Sequence, residues 1–145
     1  MQLIESIKKQ IQSAINTQEK RYSAAITLLT TLIIITPLCG YLFQCGCDWP
    51  WQGLDTHCNF YNPHTKHQCP WCASMATGVL SVGISILAGV WSSTALLPAF
   101  YLRSFNPAVV RTFQGLLIFV SIAILTAGIA ALYQGYSLGV GSYLR

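Results

Sequence analysis

The residues able to do chemistry crowd into one stretch of the chain. The segment QCGCDWPWQGLDTHCNFYNPHTKHQCPWC holds Cys45, Cys47, Cys58, Cys69 and Cys72, and with them His57, His64 and His67. A sixth cysteine, Cys39, stands just before it. Thiolate and imidazole are the usual ligands of zinc and copper. Thiols are also the reagents of disulfide exchange. Three chemistries are therefore open to this segment: covalent bridging, metal ligation and thiol redox.

The bridging reading follows from compartment. On the non-cytosolic side of a membrane, disulfides form and persist. Cys45, Cys47, Cys58, Cys69 and Cys72 supply two bridges with one thiol over, unless Cys39 takes part. The pairs Cys45/Cys47 and Cys69/Cys72 favour bridges that join the start of the segment to its end. The metal reading draws on His57, Cys58, His64, His67, Cys69 and Cys72, ligand types that suit copper or zinc. Cys69-x-x-Cys72 suits two thiolates on one ion. The spacing matches no closed zinc-finger pattern, because there is one Cys-x-x-Cys and not two.

The redox reading rests on Cys69-Pro70-Trp71-Cys72, placed just before an apolar run. A helix N-terminus stabilises a thiolate through its free N–H groups and dipole. Cys69 and Cys72 would then act as nucleophile and resolving thiol, with Cys45, Cys47 or Cys58 as shuttles. In this layout the segment resembles the membrane thiol oxidases of the disulfide-bond formation protein B and vitamin K epoxide reductase families. There too a Cys-x-x-Cys sits at the outer end of a membrane helix, with further cysteines in an outer loop. The resemblance covers Cys69 to Cys72 and the general layout, and it implies quinone as electron acceptor. Those families have at least four spans around the quinone, where this chain has three.

Other chemistries are excluded. Cys72 is followed by Ala73, not His, so the segment is no c-type haem attachment site. The chain has no Gly-rich phosphate loop, no nucleophile elbow and no paired carboxylates on one face.

The elements that must position these groups are membrane helices. Of 145 residues, 53% are hydrophobic and 8% charged. A soluble domain carries about 25% charged residues, so a water-facing surface cannot be covered. An ordinary soluble enzyme and a nucleic-acid binder are both ruled out. The net charge of +4 comes from scattered basic residues rather than a basic stripe. Residues 24–43, 73–100 and 113–133 form uncharged apolar runs. Each is long enough to cross a hydrocarbon core of about 20 residues. Backbone groups in lipid must satisfy one another, so all three are expected as helices, with Pro37 kinking the first. Residues 1–21 place Leu3, Ile4, Ile7, Ile11, Ala14 and Ile15 at helical spacing against Glu5, Lys8, Lys9 and Gln12. This predicts an amphipathic helix on the cytoplasmic membrane surface or against a partner subunit.

The fold class expected is therefore an all-α integral membrane protein. It has three transmembrane helices, an N-terminal interfacial helix and a Cys/His-rich extracytoplasmic loop over 44–72. Lys8, Lys9, Lys20, Arg21, Arg103 and Arg111 flank one end of the spans, and Lys66 and Arg145 the other. The positive-inside rule then makes the N-terminus and the 101–112 loop cytoplasmic, with the 44–72 loop and the 134–145 tail outside. The inner membrane of a bacterium is the expected location. The first apolar run begins too late and is too long for a cleaved signal peptide. Pro37 and Leu38 before Cys39 break the small-residue pattern of a lipoprotein site. The loop should be turn-rich, with its tryptophans at headgroup level.

The spans carry rows of small residues. Ala73, Thr77, Ser81, Ser85, Gly89 and Ser93 recur at fourfold spacing in the second, and Ala123, Ala127, Ala131 and Gly135 in the third. Such rows let helix backbones approach closely, either each other or another membrane subunit. No span contains Asp, Glu, Lys, Arg or His, which argues against a pump or proton channel. The expected role is a small accessory subunit or assembly factor of a larger respiratory or metal-dependent membrane complex. Its partners would be membrane lipid and other membrane subunits, with no nucleic acid. The alternative is a membrane thiol–disulfide oxidoreductase using Cys69 and Cys72.

Overall fold

In a computed structural model of the chain, the backbone is described for residues 2–95 and 106–144, and side chains for 17–95 and 106–144. Helix α1 spans Gln2–Phe43. The expected N-terminal amphipathic helix is helical, and it continues into the first span without a break. The helix also runs through Pro37, where one backbone hydrogen bond is forgone. After the cysteine-rich loop come a single-turn helix α2 (Pro70–Ala73), then α3 (Met75–Ala95), α4 (Pro107–Tyr133) and a final turn α5 (Val140–Tyr143). No strand occurs among the described residues. Three helices are long and apolar enough to cross a membrane, over Thr17–Phe43, Met75–Ala95 and Pro107–Tyr133. The chain is a membrane-spanning protein.

The boundaries differ from the apolar runs for local reasons. Ser74 is extended (φ −133°, ψ 116°) and separates α2 from α3. The second span therefore begins at Met75, not at residue 73; residues 96–105, including part of the expected 101–112 loop, lie outside the described residues. Asn106-Pro107 starts α4. The Asn106 side chain accepts from Ala108 N at 3.0 Å, and proline at the first helical position sacrifices an N–H that has no intrahelical partner.

The three spans pack small residues inward and large apolar ones outward. Ser23, Thr27 and Thr31 form the buried face of α1. Ser81, Ser85, Gly89 and Ser93 form that of α3. Arg111, Gly115, Phe119, Ala123, Ala127 and Ala131 do so in α4. Leu29, Leu87, Leu125 and Ile129 face outward. Lipid is as apolar as leucine, so close packing of small faces, rather than exclusion of water, holds such helices together. The two small-residue rows read from the sequence thus face each other within the chain, although Ala73 is exposed. Arg111, expected as a simple topological anchor, is buried in the inner row.

The α3 and α4 backbones approach closely at Gly89 and Gly115. A Cβ on Gly115 would stand 2.8 Å from the Gly89 carbonyl oxygen and 3.0 Å from both Ser93 Cβ and Thr27 Cγ2. All three spans therefore meet at this residue. Gly115→Leu is expected to lower stability by about 3 kcal/mol, the upper range for overpacking a tight interior. Unfolding in mixed detergent micelles, followed by helix content, measures it.

Candidate metal centre

The cysteine end of the bundle is assembled from four chain segments. Cys39 lies one turn before the end of α1. Cys45 and Cys47 follow in the irregular chain that leaves α1, where the Cys45 carbonyl accepts a backbone hydrogen bond from Asn59 N at 2.7 Å. Cys58 precedes a 3-10 turn at Asn59–Tyr61. Cys69 and Cys72 flank Pro70 and Trp71 on α2, with Cys72 N donating to Cys69 O at 2.9 Å. The Cys-x-x-Cys was expected at the N-terminus of the second span. It instead occupies its own single turn, and Ser74 interrupts the helical path to α3. The dipole of the long helix therefore does not run into these thiols.

All six sulfurs converge. The Sγ–Sγ separations are 3.7 Å for Cys39–Cys45, 3.5 Å for Cys39–Cys69, 3.4 Å for Cys45–Cys47 and 3.9 Å for Cys58–Cys72. They gather into three triads, Cys39/Cys45/Cys47, Cys39/Cys69/Cys72 and Cys47/Cys58/Cys72. Within each triad the sulfurs lie within 4.8 Å of one another. Cys72 is half-buried and the other five are buried. No disulfide joins Cys45, Cys47, Cys58, Cys69 or Cys72, and all six thiols are free. The bridges expected from the sequence are therefore not formed in this arrangement. Bonded sulfurs stand about 2.05 Å apart. Here each sulfur is shared among several neighbours, where a bridge needs one exclusive partner.

The arrangement lowers the proton affinity of some thiols and raises that of others. Hydrogen bonds from Cys39, Cys47 and Cys69 hold the Cys45 thiolate far below the ordinary thiol range. Cys39, Cys47 and Cys69 do the same for Cys72. Burial dominates at Cys58 and pushes it up to about 11. A thiolate among thiols is a metal-ligating and nucleophilic group at once.

The histidines stand apart. His57, His64 and His67 are exposed, and none belongs to a sulfur triad. His57 lies 3.9 Å from Asp48 with 72% of its side chain exposed. Of the six ligands read from the sequence, the structure brings together Cys58, Cys69 and Cys72. It adds Cys39, Cys45 and Cys47, which sequence reasoning assigned to bridging or left spare. The even number of cysteines was the available signal that Cys39 belonged with the rest.

The C-terminal tail closes the site. Phe43 and Tyr136 are fully buried, and Trp71 nearly so. Phe43 meets Trp71 edge-to-face at 5.2 Å and Tyr136 at 5.8 Å. Trp71 is thus a packing residue, whereas Trp49 and Trp51 stack on each other at 5.1 Å in the exposed turn. The Tyr136 hydroxyl donates to Phe43 O at 2.8 Å and accepts from Asn59 Nδ2 at 3.0 Å. Gln134 Nε2 donates to Pro70 O at 3.0 Å. The tail thus folds back onto the loop and the end of α1.

Asn59 is the joint between these parts. Its Oδ1 accepts from Cys69 N at 3.0 Å, its Nδ2 reaches Tyr136, and its backbone N–H ties it to Cys45. Asn59→Ala leaves the Cys69 N–H without an acceptor. The expected loss is about 2 kcal/mol, the range for stranding a buried donor. A lower melting temperature and faster alkylation of Cys69 in the reduced protein are the measurable consequences.

The site and fold together define a small three-span membrane protein with a six-thiol nest at one end of its helix bundle. No known protein family, no characterised protein and no solved structure matches the chain.

Proposed function

We propose that this membrane protein binds thiophilic metal ions, copper or zinc, in its six-thiol nest. We propose further that it works as a small accessory subunit or assembly factor, holding or delivering that metal for a larger membrane complex. The observation that carries the reading is the convergence of every cysteine in the chain into three mutually close triads. Soft thiolate ligands select copper(I) and zinc. Burial on several sides supplies the dry surroundings in which metal–thiolate bonds resist exchange with water. Residues 24–43, 75–95 and 113–133 carry no acidic group or histidine, which fits a holder or carrier better than an ion-coupled machine. The nest lies at the end away from Arg111 and the N-terminal lysines. The positive-inside rule therefore supports a non-cytosolic nest, with the N-terminus cytoplasmic and the C-terminus outside, in a bacterial inner membrane.

The test is metal analysis of the full chain purified anaerobically in mild detergent with reductant. Retention of copper or zinc in fixed proportion to protein is the expected result. Failure to retain either after reconstitution, with the helical fold intact, overturns the reading. Isolation as a stable monomer that acquires and transfers metal with no other subunit present would count against the accessory role.

A second reading, thiol–disulfide exchange with quinone as acceptor, draws on the 3.5 Å approach of Cys39 and Cys69 sulfurs. A dithiol would become a disulfide while quinone takes up two electrons and two protons. It predicts that Cys69→Ser and Cys72→Ser each abolish quinone reduction in a protein that stays folded. Absence of any redox-cycling thiol on trapping in native membranes removes it.

A further inference from the structure

We propose that the six thiolates are arranged to hold a cluster of three copper(I) ions, each bound by three sulfurs. The inference deepens the metal reading above and rests on it. It comes from how the triads are joined, which is more specific than the fact that they exist.

The three triads share single vertices. Cys39 belongs to the first and second, Cys47 to the first and third, and Cys72 to the second and third. Each triad also keeps one sulfur of its own: Cys45, Cys69 and Cys58 respectively. Three triads joined in this way make a closed ring: Cys39, Cys47 and Cys72 each bridge two neighbouring sites, and Cys45, Cys69 and Cys58 each complete one.

The dimensions suit three-coordinate ions. A metal about 2.3 Å from each of three thiolates, at the centre of their triangle, needs edges of about 4 Å. The observed edges are 3.4, 3.5, 3.7 and 3.9 Å, so a small expansion seats the ions. Copper(I) is soft, carries a single charge and accepts three thiolates. Zinc takes four ligands tetrahedrally. Two zinc ions on six thiolates would need two quartets sharing a pair of sulfurs, whereas these triads share one sulfur at a time. An iron–sulfur cluster places sulfide in the middle and spreads its thiolates further apart than these contacts allow.

The loading step balances without electron transfer. Six thiols and three copper(I) ions give a cluster of charge −3 and six protons. Each S–H bond breaks and its proton leaves to water; Cys39, Cys47 and Cys72 each bridge two ions, and the other three sulfurs each bind one.

The experiment is titration of the reduced full chain with copper(I), kept in solution by acetonitrile, in detergent under anaerobic conditions. A single breakpoint at three ions per chain is expected, one for each triad, with the long-wavelength emission of shielded copper(I)–thiolate clusters. Native mass spectra should show the metal-free and fully loaded forms with little between them. A breakpoint at any other number of ions, or stepwise filling, overturns the cluster and leaves the metal reading standing. So does retention of zinc alone. Failure to bind either metal overturns both. Cys58→Ser opens one triangle and is expected to lower the breakpoint to two ions and weaken the emission while retaining helix content. An unchanged breakpoint in that variant also overturns the cluster.

Discussion

Cys39→Ala is expected to abolish most metal binding, although Cys39 lies inside a membrane helix and outside the loop that holds the other cysteines. Its sulfur belongs to two of the three triads, so its removal leaves only Cys47/Cys58/Cys72 complete. A ligand lost from a shared vertex weakens every ion it bridges, and the remaining thiols are too few to re-form both triangles. Changing His57, His64 and His67 together to alanine is expected to leave the metal content unchanged, because all three are exposed and lie outside the triads. Metal-to-protein ratios of the two variants, measured side by side after anaerobic reconstitution, decide between ligand sets. Loss of metal in the histidine variant with retention in Cys39→Ala would restore the loop-only ligand set that the sequence suggests.

The contrast shows what a membrane sequence displays and what it conceals. The spans are legible because lipid excludes charge, and the runs over 24–43, 73–100 and 113–133 carry none. The loop's thiols are legible as a group for the same reason. Their grouping hides the site, however. Polar residues of every kind collect in loops, so His57, His64 and His67 fall beside the cysteines without facing them. Cys39 sits in an apolar run, where a cysteine reads as one more small hydrophobe. Only the packing of α1 against the returning loop turns it inward. Tyr136 is concealed in the same way. Its partners, Asn59 and Phe43 O, come from segments far away in sequence. The start of α4 was visible in principle. Asn106 followed by Pro107 is a helix-opening pair, the first capping the helix and the second preset for its first position.

Gly40→Ala is expected to disrupt the nest from one turn inside α1, and the sign of that effect separates two forces. By helix propensity alone, alanine for glycine in a helix interior stabilises by about 1 kcal/mol. At Gly40 the added Cβ would land on the carbonyl oxygen of Cys47, with the Cys47 carbonyl carbon at 3.0 Å and its amide nitrogen at 3.4 Å. These are backbone atoms and cannot rotate away, so the segment carrying Cys45 and Cys47 must lift from α1. Overpacking of this kind costs about 1–3 kcal/mol, more than the propensity gain. The displaced Cys47 also serves two triads. The melting temperature should therefore fall, and metal capacity should fall with it. Gly83→Ala supplies the control, since nothing lies within 4 Å of a Cβ placed there and Gly83 sits mid-helix in α3. That variant should keep its metal and melt at the same temperature or higher. Equal stabilisation of both variants would mean that Cys47 does not rest on Gly40, and the close seat of the loop on the first span would have to be abandoned.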